Sequence, residues 1–348
     1  MSIALRSFAK INLGLKIGPP RPDGFHELRT IYQTIALHDV VRVEVRAGDG
    51  IEIRCDDPRV PCDATNTCHK IAERVLKTVG ERSKVVITIE KQLPVQGGMG
   101  AASSNAVATM LGLERALGIS LTEQEKLRIA AEVGSDLPLF LIGGTVLGVD
   151  RGQEVHALQD LPETSLVVVT PPVGVSTPKA FAQWDELVER AETDEAIEIA
   201  AAEIAQSALT ALEATGTINE RDQADDAWLS ERLLSRAVPA KGPASGVPAA
   251  GGDRAETPLL DLVRTGIEND FERVVFPEYP ELREVKSVLQ REGARYASLS
   301  GSGSTLYGLF DSASGAEAAA ERMRAARHAA LATRTLARNE YWNQLFIG

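Results

Sequence analysis

Four short segments carry residue types that could do chemistry together. The first is LPVQGGMGAASSNA (93–106). A phosphate group is held by backbone N–H donors that converge on it and by the positive end of a helix dipole. Glycines let the backbone approach closely, and this segment runs from glycines and small residues straight into an apolar helical pattern. It is not a Walker loop, because G-x-x-x-x-G-K-[ST] is absent. Nor does it satisfy the dinucleotide pattern G-x-G-x-x-G. Its residues alone read either as a phosphate cradle or as a structural turn. Ser103 and Ser104 fall at the expected helix start, where one of them is expected to cap the helix and either could contact phosphate oxygen or Mg²⁺.

The second segment is FAKINLGL (8–15). Ala9, Ile11, Leu13 and Leu15 alternate on one face of a strand, so Lys10 and Asn12 share the other. Lys10 is either a solvated strand lysine or a cation aimed at a site. The third is GSDLPLF (134–140), where Asp136 lies between a helix stop and a Leu-Pro restart. It reads as a helix cap, or as a carboxylate that orients or deprotonates a substrate hydroxyl. The fourth is SGSGST (300–305), either a tight turn or a second glycine loop that meets the first around a nucleotide.

These segments need elements to position them. A strand is expected over 8–17, followed by a turn at PDG (22–24). VVRVEV (40–45) and IEIR (51–54) read as a hairpin, and VVITIE (85–90) as a further strand. A helix is expected from about Ser103 to Leu117 with Gly118 as its stop. Another starts at the capping box Thr122-x-x-Glu125 and stops at Gly134. Strands follow at 144–149 and 166–170. Residues 185–258 read as an insertion whose first part is alanine- and acid-rich and helical in pattern. Its second part, 239–258, has thirteen Pro, Gly or Ala in twenty residues, too little apolar surface to offset its ordering entropy. Helices are expected around 260–273 and from Pro280 to Gly293. A glycine turn into a strand comes next, then a helix over about 315–328. Strands and helices alternate irregularly, which makes the class α+β.

The bulk composition narrows the partners. A net charge of −12 over 348 residues argues against nucleic acid as the main partner. The longest apolar run, 137–149, is too short and glycine-interrupted to span a bilayer. The opening MSIALRSFAK has no cleavable signal pattern, so the cytoplasm is the expected compartment. Cys55, Cys62 and Cys68 read as reduced thiols, since a zinc site lacks the close Cys-x-x-Cys pairs that announce one.

Taken in this order, FAKINLGL, LPVQGGMGAASSNA, GSDLPLF and SLSGSGSTLYGLF resemble the GHMP kinase superfamily, small-molecule kinases that use ATP. The block FAKINLGLKIGPPRPDGFHELRTIYQTIALHD (8–39) narrows the resemblance. It points to the branch acting on a cytidine-diphosphate-linked methylerythritol in the non-mevalonate route to isoprenoid precursors. DRGQE (150–154), VGVSTPKAF (173–181), NDFE (269–272) and YPEL (279–282) also look like that branch. The resemblance covers nearly the whole chain outside 185–258.

The resemblance implies two domains, 1–159 and 160–348. The first would be of the ribosomal-protein-S5-domain-2 type and the second ferredoxin-like, with ATP and substrate between them. It implies Lys10 and Asp136 as the catalytic pair. Asp136 would take or orient the hydroxyl proton, and Lys10 would stabilise the developing oxyanion. Pro94, Gly97, Gly98, Met99, Gly100, Ala101, Ala102, Ser103, Ser104 and Asn105 would bind ATP, with Ser103 or Ser104 near Mg²⁺. Asn12, Phe25, His26 and Phe181 would contact the substrate, the two phenylalanines sandwiching cytosine and His26 reading its edge. Ser300, Gly301, Ser302 and Gly303 would close over the phosphates. A monomer or weak homodimer is expected. Another GHMP kinase acting on mevalonate, homoserine or a sugar, or a catalytically silent nucleotide-binding relative, are the other readings.

The chain departs from the family pattern at Gln96, Ala101 and Ala102, which replace loop glycines, and at Phe25, where the family commonly has tyrosine. Ala101 and Ala102 are expected at negative φ, in or just before the first helical turn.

Overall fold

The first strand, β1 (Ser2–Pro20), runs past the 8–17 alternation at both ends. It is buried on both faces for most of its length, so Lys10 and Asn12 are as enclosed as Ile11 and Leu13. The computed structural model describes residues 2–95, 97–190 and 268–348. Gln96 and residues 191–258 of the expected insertion lie outside the described residues. Residues 185–190, at the start of that insertion, finish a helix, as the helical pattern of its first part predicts. By contact density, Met1–Leu187 and Glu268–Gly348 form one unit and Val188–Ile267 a second. Both sheets and every candidate site residue belong to the first unit.

β2 (His26–Arg46) pairs antiparallel with β1 along nearly its whole length. Register shifts at Phe8/Ala9, Asn12/Gly14 and Ile17/Pro20 bend the ribbon. The expected strand at 40–45 is only the end of this one, because the polar residues of 26–39 hide the alternation of the rest. β3 (Gly50–Cys55), α1 (Thr67–Val79) and β4 (Lys84–Glu90) follow. The expected β2–β3 hairpin does not form. β4 lies between the two strands, antiparallel to β2 and parallel to β3. A parallel pair needs a crossover, and α1 supplies it, burying Cys68, Ile71, Ala72 and Val75 on one face. α2 (Ala101–Leu117) and α3 (Glu123–Val133) join α1 over the sheet. The Thr122–Glu125 capping box is present as expected. After a 3₁₀ turn at Pro138–Leu141, β5 (Thr145–Val149) pairs β2 and β6 (Glu154–Ala157) pairs β5. Leu5, Val43, Ile71, Ile87, Val107 and Leu113 anchor the core between sheet and helices.

The second sheet takes β7 (Ser165–Val169), β8 (Tyr296–Leu299), β9 (Leu306–Phe310) and β10 (Ala330–Arg334) in the order β10-β7-β9-β8, all antiparallel. Between β7 and β8 come, among the described residues, α4 (Thr177–Arg190), α5 (Glu272–Glu278) and α6 (Pro280–Arg291). α7 (Ala313–Ala325) joins β9 to β10. This is the split β-α-β arrangement of ferredoxin-like domains. α6 packs on β8 and β9, and α7 on β7, β9 and β10. α8 (Arg338–Leu345) then leads into β11 (Phe346–Ile347), which returns to pair with β1.

Of the helix expected over 260–273, residues 260–267 lie outside the described residues, and within 268–273 the helix begins at Glu272. The preceding backbone is committed to β1 instead: Leu15 N–H donates to Glu268 O and Asp270 N–H to Leu15 O, both at 3.0 Å. Among the described residues no helix is long and apolar enough to cross a membrane.

Candidate active site

β1 carries Lys10 and Asn12 side by side. Lys10 Nζ donates to Asn12 Oδ1 at 2.6 Å and lies 3.5 Å from Asp136 Oδ2. Asn12 is fixed in this orientation because its Nδ2 donates to Thr30 Oγ1, which donates onward to Gly14 O. Asp136 comes from the turn before the 3₁₀ segment, and its Oδ1 accepts from Tyr32 O–H at 3.0 Å. Burial lowers the Lys10 pKa from 10.5, and the Asp136 charge opposes that shift. Burial, then Asp136, push the Tyr32 hydroxyl well above its usual range, so it stays protonated as a donor. The result is an enclosed cation beside a carboxylate that is 36% exposed. Such a pair can orient a hydroxyl and stabilise the charge that develops on its oxygen.

Both glycine loops meet this pair. Lys10 N–H donates to Met99 O, tying the first loop to β1. Gly98 has φ +83° and a Cβ there would lie 2.3 Å from Ser300 O; a Cβ on Gly303 would lie 2.5 Å from Gly98 N. The two backbones touch where only glycine fits. Thr305 N–H donates to Gly97 O and Ser300 Oγ to Gly98 O. A Cβ on Gly301 would come within 3.2 Å of Asn12 Oδ1 and 3.5 Å of Lys10 Nζ. Ser302 Oγ shares a 2.7 Å hydrogen bond with Thr177 Oγ1 at the start of α4.

The first loop runs into α2 without a side-chain cap. Gly100, at φ +67°, is the N-cap. Ser103 and Ser104 therefore lie inside the first turn, and the expectation that one of them caps the helix is overturned. The loop closes two residues earlier than the serines suggest, because left-handed Gly100 starts the helix. Ala101 and Ala102 sit in that first turn, and among the described non-glycine residues only Asp150 and Arg327 have positive φ. Ser104 is buried, its Oγ accepting from Ser7 Oγ at 2.8 Å. Ser103 instead lines a cavity of about 340 Å³ together with Pro94, Gly97–Ala102 and Asn105. Asn105 Oδ1 is buried with no hydrogen-bond partner among the described residues.

Sequence reasoning missed several contributors. Arg59, Asn66 and Lys91 line the same cavity. Asn66 was findable, since Asn-Thr ahead of an apolar period is a helix-start signal, and it caps α1 through Cys68 N–H. Thr30 and Tyr32 lie two apart on β2, one face of a strand segment in which no alternation is legible.

The substrate-side residues divide. Asn12 is at the catalytic pair. His26 is buried, stacks on Phe181 (centroids 4.8 Å, planes 16° apart) and hydrogen-bonds Asp185 Oδ1 through Nε2 at 2.6 Å. The edge of Phe271 meets Phe181 at 5.0 Å. Phe25 is 50% exposed, with the Arg151 guanidinium 4.8 Å over its ring. Here His26, rather than Phe25, is the ring partner of Phe181.

The comparisons agree with this architecture. The family models described as "GHMP kinases N terminal domain" and "GHMP kinases C terminal" match residues 66–144 and 256–329. The 4-diphosphocytidyl-2-C-methyl-D-erythritol kinase of Acaryochloris marina is 33% identical over 325 residues, 92% of this chain and 91% of that protein. The same-named enzyme of Synechococcus elongatus is 32% identical, over 93% of this chain and 91% of that one. A crystal structure of 4-(cytidine 5'-diphospho)-2C-methyl-D-erythritol kinase superposes with a TM-score of 0.65 at 25% identity, covering 95% and 98% of the two chains. The L. major mevalonate kinase, solved with R-mevalonate, superposes at 0.63 with 16% identity, a likeness of fold.

Proposed function

The chain belongs to the 4-diphosphocytidyl-2-C-methyl-D-erythritol kinases, a branch of the GHMP kinases, and from that membership and the cleft geometry we infer which residues do its work. It is an ATP-dependent phosphotransferase with an alcohol acceptor. The reaction moves the γ-phosphoryl of ATP to the 2-hydroxyl of 4-diphosphocytidyl-2-C-methyl-D-erythritol, giving the 2-phosphate and ADP. The observation that carries the residue assignment is the buried Lys10 beside Asp136, at the point where both glycine loops converge.

In this reading Asp136 accepts or orients the proton of the 2-hydroxyl, and Tyr32 O–H holds the carboxylate in place. The Asp136 charge favours the cationic form of Lys10 against its burial, and Lys10 stabilises the attacking oxygen. Phosphoryl transfer depends mainly on such positioning and electrostatics. The first loop and the start of α2 fit a triphosphate: backbone donors, the helix dipole and the Ser103 hydroxyl line one space. Arg59 and Lys91 add cationic groups to its wall. Ser103, rather than the engaged Ser104, would hold Mg²⁺, which when bound neutralises phosphate charge. Phe25, His26 and Phe181 form the cytidine end. We assign 1–159 and 160–348 to the two family domains, a division that falls between β6 and β7, and we place the enzyme in the cytoplasm as a monomer or weak homodimer.

Coupled ADP release tests the substrate, with the cytidine compound beside mevalonate, homoserine and galactose. Turnover of the cytidine compound alone is expected. Turnover of one of the others without it sinks the narrow reading.

A further inference from the structure

The NDFE segment (269–272) spends three of its side chains on the second glycine loop and on β1. Asn269 is buried, and its Nδ2 donates to Leu299 O at 2.9 Å and to Gly301 O at 2.8 Å. Its Oδ1 accepts from Phe271 N–H at 3.1 Å, so the amide orientation is determined by its partners. Asp270, also buried, accepts from Ile17 N–H at 3.0 Å and pairs with Lys16 at 2.8 Å. Glu272 accepts from Leu299 N–H and Ser298 Oγ, each at 2.9 Å, and pairs with Lys286. The segment thus holds the strand that bears Lys10 with one carboxylate and the start of the loop with an amide and a second carboxylate.

A peptide unit is planar and its N–H points opposite its C=O. Drawing the Gly301 carbonyl to Asn269 therefore turns the N–H of Ser302 the other way. Among the described residues that N–H has no acceptor. Gly301 itself lies against Asn12 and Lys10. We propose that Asn269 is a positioning residue for phosphoryl transfer, orienting the Gly301–Ser302 peptide so that the Ser302 N–H donates to an oxygen of the transferring phosphoryl group. Asp270 and Glu272 hold Asn269 in register with β1 and with the loop. The proposal rests on the reading of 300–303 as a phosphate-side loop.

Two variants and two readouts test it. Asn269→Ala removes both donors. A misplaced transition-state donor lowers kcat more than it weakens binding, so kcat is expected to fall about 100-fold, with KM for the cytidine substrate within about threefold. Asn269→Asp is isosteric. Its carboxylate faces two carbonyl oxygens and donates nothing, but its protonated form restores one donor. Its kcat relative to the parent enzyme is therefore expected to rise as pH falls across about pH 9 to 6. Amide hydrogen exchange of a peptide spanning 299–303 is expected to speed up in Asn269→Ala, which needs no substrate. Retention of kcat within about threefold, or a pH-independent deficit in Asn269→Asp, or unchanged exchange, overturns the proposal. If Asn269→Ala does not fold, the isosteric variant and its pH profile decide. If the parent enzyme is inactive on the cytidine compound, the substrate reading fails, while the exchange arm still decides whether Asn269 orders the loop.

Discussion

Asp136→Asn keeps the shape of the side chain and an acceptor for Tyr32 O–H, and deletes a negative charge 3.5 Å from Lys10 Nζ. Two unit charges at that separation attract by about 5 kcal/mol at an effective dielectric of about 20, and by about 1 kcal/mol in water. Because the Asp136 side chain is 36% exposed, solvent screening brings the interaction toward the lower figure. The larger loss is chemical: a positioned acid–base group contributes about 10²–10⁴-fold, so kcat is expected to fall about 10³-fold, roughly 4 kcal/mol. ATP affinity by calorimetry should hold within about twofold, since the cavity proposed for the nucleotide is lined by other residues. The pH dependence gives a second signature. Burial already lowers the Lys10 pKa and Asp136 props it up, so the variant's Lys10 pKa falls further. The alkaline limb of kcat should begin below 10.5 in the parent and move lower in the variant. For stability, the folded state releases the Lys10 proton before the unfolded chain does. The unfolded chain then binds more protons between the folded value and 10.5, and stability rises with pH in that window. Asp136→Asn should accordingly be less stable at neutral pH and recover relative to the parent as pH rises. A variant with kcat within about tenfold of the parent and an unmoved alkaline limb would refute both the acid–base role and the coupling to Lys10.

Gly98→Ala forces a side chain into a left-handed residue, costing about 1–2 kcal/mol, and drives its Cβ to 2.3 Å from Ser300 O. The two loops must separate, so a lower melting temperature and a rise of more than about tenfold in KM for ATP are expected. Unchanged ATP kinetics in a folded variant would show that loop docking is irrelevant to the nucleotide. Phe181→Ala removes the ring that His26 stacks on. At about 1–3 kcal/mol per stacked base, KM for the cytidine substrate should rise about 5- to 150-fold, with KM for ATP unmoved. The reverse pattern would place Phe181 at the other end of the cleft.

Legibility followed local chemistry. Glycines, caps and short apolar periods announced α2, α3, β4 and β9, because those signals act within a turn or two of the chain. Lys10, Asp136 and both glycine loops were visible as residue types, and the structure brings them to one place. Pairing was not visible in the same way. β4 separates β2 from β3 because α1 carries the chain across, and nothing in VVRVEV or IEIR encodes that partner. Tyr32 and Thr30 were missed for a related reason: they serve Asp136 and Asn12 from a strand face whose polar residues break the alternation. Asn269 acts on carbonyls some thirty residues away in sequence, a relation that only the folded chain exposes.

The alanines in the first loop acquire a physical reading from the same geometry. Gly98 and Gly303 lie at the contact between the two loops, where a Cβ on either would run into the other backbone. Gly100 turns left-handed to start α2. Ala101 and Ala102 come after that turn, in ordinary helical backbone, where a methyl group needs no special conformation and narrows the unfolded ensemble. Glycine is thus kept where the loop must touch its partner or reverse its hand, and given up where the helix has begun. The proposed triphosphate binding would depend on the direction of the loop's N–H groups, and those directions are set by Gly98, by Gly100 and by the bond from Lys10 N–H to Met99 O. A loop anchored at those points can lose two glycines without losing its donors, and its first helical turn is stiffer for the loss.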